Sequence, residues 1–211
     1  MKLSKRIDYS LLIPDATDAQ IKKLCSSAKK FDVGAVCVNP HYVKLCKKLL
    51  KKIGVVSVVG YPLGQNLTET KVFEAQKCFR DGADEIDIVM NIGAFKSGKY
   101  GFVLKELKEV VNVAKKFRKK SKVIIEASIL SDSGIKKASL LALKAGADFV
   151  KTGTGHAGPA TAGQVRLIKS AVKGKCGIKA SGGISTRAKA LSLIKTGASR
   201  IGASNAKAIL S

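Results

Sequence analysis

Eight times along the chain a short apolar run, mostly β-branched, gives way to a longer stretch with apolar residues at helical spacing. The runs begin near Ile7, Gly34, Val55, Glu85, Lys122, Phe149, Gly177 and Arg200. After the fourth run the helical period is plain. Val103, Leu107, Val110, Val111, Ala114 and Phe117 form one stripe, with Lys105, Lys108, Lys115 and Lys116 on the other side. Start signals recur as well: Thr17 with Gln20 and Thr161 with Gln164 predict capping boxes, and Asn66 with Glu69 predicts an Asn-capped variant. Asn39 followed by Pro40 predicts a cap and a first-turn proline. Asp81-Gly-Ala-Asp84, Ala145-Gly-Ala-Asp148 and Thr196-Gly-Ala-Ser199 each put a glycine where a helix ends just before a strand. This alternation predicts a closed parallel sheet ringed by helices, a (β/α)8 TIM barrel forming a single domain over residues 1–211. A doubly wound open sheet is the alternative, but no G-x-G-x-x-G follows the first run.

Strand parity then sorts side chains into inward and outward sets. In the fourth strand Ile86, Ile88, Met90 and Ile92 share one face, and Glu85, Asp87 and Asn91 share the other. The apolar set must meet the helices, so the acids point into the barrel. The same parity sends Asp8 inward from strand one, and Phe149, Lys151 and Gly153 from strand six. Strand seven contributes Gly177, Lys179 and Ser181. Lys151 and Lys179 sit at matching positions, each just before a glycine-rich break at a strand end, where barrels carry their chemistry. Two such amines on neighbouring strands repel each other's protons, which favours one neutral, nucleophilic amine. Either lysine can fill that role at this stage. Ser181-Gly-Gly183 and Gly202-Ala-Ser204-Asn205 end strands seven and eight, where a phosphate is commonly bound by backbone N–H groups and a short helix, here 205–210.

Composition narrows the field. A 45% hydrophobic content over 211 residues supports one sizeable core. The start, Met1-Lys-Leu-Ser-Lys-Arg, has no apolar run behind it, and the longest apolar stretches are only strand length. Five cysteines without a C-x-x-C read as free thiols in a cytoplasmic protein. Two histidines are too few for a three-histidine metal site; His41 reads as structural and His156 as a rim residue. The net charge of +24 suggests a polyanion surface, but it is carried almost wholly by lysine, with few aromatics and no Trp for stacking. It reads as a solvated shell that steers small anions, with no specific nucleic-acid partner.

The segments together resemble the deoxyribose-phosphate aldolases, class I Schiff-base enzymes built on this barrel. The resemblance runs the length of the chain. It rests on Ile7-Asp-Tyr-Ser-Leu-Leu12, Cys37-Val-Asn-Pro40, Gly60-Tyr-Pro-Leu-Gly64 and Gly82-Ala-Asp-Glu-Ile-Asp87 in the first half. In the second half it rests on Val123-Ile-Ile-Glu126, Lys151-Thr-Gly-Thr-Gly155, Lys179-Ala-Ser-Gly-Gly183 and Arg200-Ile-Gly-Ala-Ser204. It implies reversible cleavage of 2-deoxy-D-ribose 5-phosphate to D-glyceraldehyde 3-phosphate and acetaldehyde, without metal or other cofactor. By motif, Lys151 is the imine-forming lysine, Lys179 the second lysine that tunes it, and Asp87 the proton-relay carboxylate. It also implies substrate contacts at Asp8, Cys37, Thr154, Gly155, Gly182, Gly183, Gly202 and Ser204, with Cys37 packing rather than attacking. A homodimer or higher homo-oligomer without membrane association is the expected state. The chain departs from the family at Tyr9-Ser10, where His-Thr is usual, and at Ser185, where an Arg is common. Rival readings are another Schiff-base sugar-phosphate aldolase of the transaldolase kind, and a barrel that binds phosphate or polyanions without chemistry.

Overall fold

The computed structural model describes residues 1–210; Ser211, the last residue of the predicted domain, lies outside the described residues. Eight strands close into a parallel barrel in sequence order: β1 (Ile7–Leu11), β2 (Ala35–Val38), β3 (Gly54–Val59), β4 (Glu85–Val89), β5 (Lys120–Ile124), β6 (Phe149–Lys151), β7 (Gly177–Ser181) and β8 (Arg200–Ala203). Around them run α1 (Asp18–Phe31), α2 (Val43–Leu49), α3 (Thr68–Arg80), α4 (Ile92–Lys96), α5 (Tyr100–Lys116), α6 (Asp132–Ala145), α7 (Ala162–Val172), α8 (Arg187–Thr196) and α9 (Ala206–Leu210). Each strand begins within two residues of the place its pattern predicts, and the closed order rules out the open-sheet alternative.

The helix signals fared unevenly. Both capping boxes form, at Thr17 with Gln20 and at Thr161 with Gln164. Gly82, Gly146 and Gly197 follow their helices with φ of +105°, +86° and +137°, conformations that exclude most side chains. The Asn66 cap does not form. The first backbone bond of α3 runs from Lys71 N to Leu67 O, so Leu67 takes the cap position and the helix begins later. Asn39 and Pro40 open a 3-10 turn, Pro40–Tyr42, without a side-chain cap, and α2 starts only at Val43. Asn91 and Ile92, read as strand, instead open the short α4, where Asn91 Oδ1 accepts from Ala94 N at 2.9 Å.

Two apolar clusters result. The large one fills the layer between the outward strand faces and the helices, with Ile86, Ile88, Val103, Leu107 and Val110 among its members. The small one, Ala35, Cys37, Val56 and Val58, lies inside the barrel on β2 and β3. Barrel interiors are commonly packed by branched apolar layers throughout. Here β1 and β4 to β8 supply charges instead, and only the side formed by β2 and β3 is apolar.

Candidate active site

Seven ionisable side chains meet inside the barrel. Asp87 is fully buried, and its Oδ2 accepts from both Lys151 Nζ and Lys179 Nζ at 2.8 Å. Its Oδ1 faces Lys122 Nζ at 3.0 Å. Lys179 also donates to Asp8 Oδ2 at 2.5 Å, and Arg200 Nη1 donates to Asp8 Oδ1 at 2.7 Å. At the lower end Lys122 pairs closely with Glu85 Oε2, while Arg200 Nη2 reaches Glu85 Oε1 at 3.4 Å. Lys122 touches Glu85 and Asp87 as a charge, without the alignment of a hydrogen bond. The set holds three carboxylates and four cations, and Lys151 is the cation with no carboxylate of its own.

The backbone makes this crowding possible. Register puts Asp87 directly opposite Lys122 and Lys151 directly opposite Lys179. Gly202, beside Asp8 in the β1–β8 pairing, leaves the space that Lys179 crosses to reach Asp8. A Cβ there would sit 3.1 Å from Lys179 Cε and 2.8 Å from Ser181 Cβ. Gly202 therefore serves the lysine as well as lining the pocket.

Electrostatics fix the charge states. Burial raises the Asp8 carboxyl, but Lys179, Lys122 and Arg200 outweigh it and bring it down to about 2. Asp87 is likewise held well below the carboxylate range by Lys122, Lys151 and Lys179 against the cost of burial. Burial would strip the proton from Lys179, yet Asp8 and Asp87 hold its ammonium above the ordinary lysine value. Burial pushes the Cys37 thiol up to about 11, so it stands as a neutral group 3.9 Å from Asp87 Oδ2 and not as a nucleophile.

A pH window for stability follows. The Asp8 carboxyl falls from 3.8 to about 2, so its contribution is complete above pH 4 and is lost as pH drops toward 2. A shift of that size is worth roughly 2 kcal/mol. Lys179 is raised above 10.5, so its contribution is complete below that pH and is lost on the alkaline side. Urea midpoints followed by circular dichroism are expected to stay level from about pH 4 to 10 and to fall outside that range. Asp8→Asn is expected to start from a lower plateau and to lose much of the acid slope; an unchanged curve would show that the ion set adds nothing.

Above the charges a cavity of about 390 Å3 opens at the C-terminal end of the strands. Lys151 and Lys179 reach its wall, with Cys37, Thr154, Gly155, Gly182, Gly183, Gly202 and Ser204. His156 and Ser185 line it as well. Asp8 and Asp87, both expected at the site, lie beneath the wall and act through the lysines. Thr154 is fixed by Glu126, which accepts its N–H at 3.1 Å and its hydroxyl at 2.7 Å. Tyr61, on the loop after β3, lines the cavity and donates to Thr154 O at 3.3 Å. That loop is tied from below by Lys71, which donates to Gly64 O at 2.6 Å and pairs with Glu106 at 2.8 Å. Gly64, at φ +71°, admits no side chain, because a Cβ would meet Met90 O at 2.2 Å.

Parity had carried Asp8, Asp87, Lys151 and Lys179 to one place. It missed Lys122, Arg200, Glu126 and Tyr61 as parts of the site. Lys122 and Glu126 share a parity opposite to apolar Val123 and Ile125, and that alternation was the available signal.

Among the described residues no helix is long and apolar enough to cross a membrane. The fold closely matches a solved aldolase called QR15, with a TM-score of 0.96 and 44% identity, covering 100% of this chain and 95% of that one. A deoxyribose phosphate aldolase from Aeropyrum pernix, described as a unique tetramer, matches with a TM-score of 0.91 and 34% identity over 99% of this chain and 89% of its own. By sequence, the deoxyribose-phosphate aldolase of Caldicellulosiruptor saccharolyticus is 48% identical, covering 100% of this chain and 97% of the relative. That of Thermococcus gammatolerans is 49% identical over 97% of this chain and 93% of the relative. Residues 3–209 match the DeoC/LacD family of aldolases as a whole. With a full-length match and an eight-stranded barrel of the same shape, this chain belongs to the DeoC/LacD aldolase family.

Proposed function

We propose that this chain cleaves 2-deoxy-D-ribose 5-phosphate reversibly to D-glyceraldehyde 3-phosphate and acetaldehyde through an imine on Lys151. The observation that carries the reading is the pair of amines, Lys151 and Lys179, which reach the wall of the pocket and both lie 2.8 Å from one buried carboxylate oxygen. The neutral Lys151 amine attacks C1 of the open-chain sugar. The Lys179 ammonium, held charged by Asp8 and Asp87, donates a proton as the carbonyl oxygen becomes a hydroxyl and leaves as water. The resulting iminium is an electron sink. A base takes the C3 hydroxyl proton, the C3–O bond becomes a carbonyl, and the electrons of the breaking carbon–carbon bond pass into an enamine. Asp87, beneath the pocket wall, draws that proton through water and Lys179. Glyceraldehyde 3-phosphate departs, C2 regains a proton, and water releases acetaldehyde from Lys151.

The phosphate sits at Gly182, Gly183, Gly202 and Ser204, at the pocket side formed by β7 and β8. Ser185, which also lines that side, supplies a hydroxyl. The support for these assignments is the pocket lining and the shared motifs. The protein works in the cytoplasm as a homo-oligomer; exposed Leu63, Leu67 and Phe73 supply apolar surface for assembly.

The direct test is a coupled assay for glyceraldehyde 3-phosphate released from deoxyribose 5-phosphate. Release with acetaldehyde as the second product is expected; a different donor fragment would favour the transaldolase-like reading. If the glycine loops hold the phosphate, kcat/KM for deoxyribose itself is expected to be lower by about 100-fold or more, because binding a remote group helps position the reacting carbons. Equal efficiency on both sugars would reduce the loops to turns.

A further inference from the structure

We propose that Lys122 and Glu85, which lie below the pocket and touch no substrate, are positioning residues that fix Asp87 and set the pH range in which the amine of Lys151 reacts. The inference rests on the assignment of Lys151 as the imine lysine and goes beyond it to groups outside the pocket lining.

Lys122 is fully buried and stands opposite Asp87 across the β4–β5 register. It occupies the side of Asp87 Oδ1, at 3.0 Å, and leaves Oδ2 to be shared by the two pocket lysines. Glu85, two residues before Asp87 and so on the same strand face, holds Lys122 from below. Asp87 is thereby kept from turning Oδ1 toward the pocket. The charges facing this group come from nearly every strand. Asp8 comes from β1, the neutral Cys37 thiol from β2, Glu85 and Asp87 from β4, Lys122 from β5, Lys151 from β6, Lys179 from β7 and Arg200 from β8. Strand β3 supplies only apolar Val56 and Val58.

The balance of these charges gives Lys122 and Glu85 opposite effects. With Lys122 present, three carboxylates face four cations, and one proton is in excess. Removing Lys122 leaves three of each, so the remaining ammonium groups keep their protons to higher pH. Neutralising Glu85 leaves two carboxylates against four cations, and a proton is lost more easily. A purely structural role predicts no such pair of opposite shifts.

The experiment compares wild type, Lys122→Met and Glu85→Gln by the pH dependence of acetaldehyde trapping with borohydride and of kcat/KM for deoxyribose 5-phosphate. The acid limb is expected to move up by about one pH unit in Lys122→Met and down by about half a unit in Glu85→Gln. KM is expected to stay within about twofold in both, since neither residue lines the pocket. Limbs that coincide with wild type, or that move in the same direction, would overturn the proposal. If Lys122→Met does not fold, Glu85→Gln, which keeps the side-chain shape, decides alone by the presence or absence of its acid shift. A wild-type chain labelled on a lysine other than Lys151 would overturn the underlying assignment, and this inference with it. Correct labelling with unmoved limbs would overturn only the inference.

Discussion

Lys151→Met is expected to abolish turnover, by about 10^4-fold or more, while leaving the chain as stable as before. The loss follows from the chemistry: without an amine at this position there is no iminium to accept the electrons of the breaking bond, and the remaining groups give only binding and proton transfer. The retained stability follows from the charge balance. Asp8, Glu85 and Asp87 are matched by Lys122, Lys179 and Arg200, each pair in contact. Lys151 is a fourth cation leaning on an oxygen that Lys179 already holds. Taking it away removes a buried charge without orphaning a carboxylate, so the expected change in unfolding free energy is within about 1 kcal/mol. Borohydride reduction with acetaldehyde is expected to leave an ethyl group on Lys151 in the wild type and nowhere in the variant. A peptide map with the label on Lys179, together with an active Lys151→Met, would exchange the roles of the two lysines.

Lys179 is kept protonated by carboxylates of the chain itself. In the folded chain Asp8, at 2.5 Å, and Asp87, at 2.8 Å, do this before any substrate arrives. The difference between the charge environments of the two lysines is therefore built into the protein.

The barrel was legible because its signals are local and repeated. Most of the β-branched runs are bounded by a capped helix start or a glycine with positive φ, and neither depends on distant residues. Asp87, Lys151 and Lys179 were legible because an ionisable residue of inward parity among apolar neighbours is costly unless it is used. Lys122 was hidden by its neighbours. The segment Lys120-Ser121-Lys122 reads as the polar approach to a strand, and only the pairing of β4 with β5 reveals that Lys122 stands opposite Asp87. The same limit explains Asp8: parity says that it points inward, while its depth beneath the pocket depends on the stagger of β1 against β8. The missed α4 is set by a local cap, Asn91 Oδ1 on Ala94 N, whereas the bonds of Lys71 to Gly64 O and Val89 O join α3 to distant backbone that no local pattern shows.

Asp87→Asn is expected to be damaging in both respects, unlike Lys151→Met. The carboxylate is the anion shared by Lys122, Lys151 and Lys179, all of them buried. An amide of the same shape offers one acceptor oxygen and no charge, so three ammonium groups lose their common counterion. Breaking a buried pair from one side costs about 3 to 5 kcal/mol, and relief by releasing one proton brings the expected loss to the lower end, about 3 kcal/mol. Turnover is expected to fall by about 10^3-fold, the range for losing a positioned acid–base group. Imine formation on Lys151 should survive in part, because the amine itself is intact. Lys179→Met sets the contrast. It leaves Asp8 paired with Arg200 and Asp87 with Lys122, so its stability loss is expected to be smaller. Urea unfolding and single-turnover trapping on both variants separate these effects. Near-wild-type turnover in a folded Asp87→Asn protein would remove the carboxylate from the proton relay and leave it as a counterion alone.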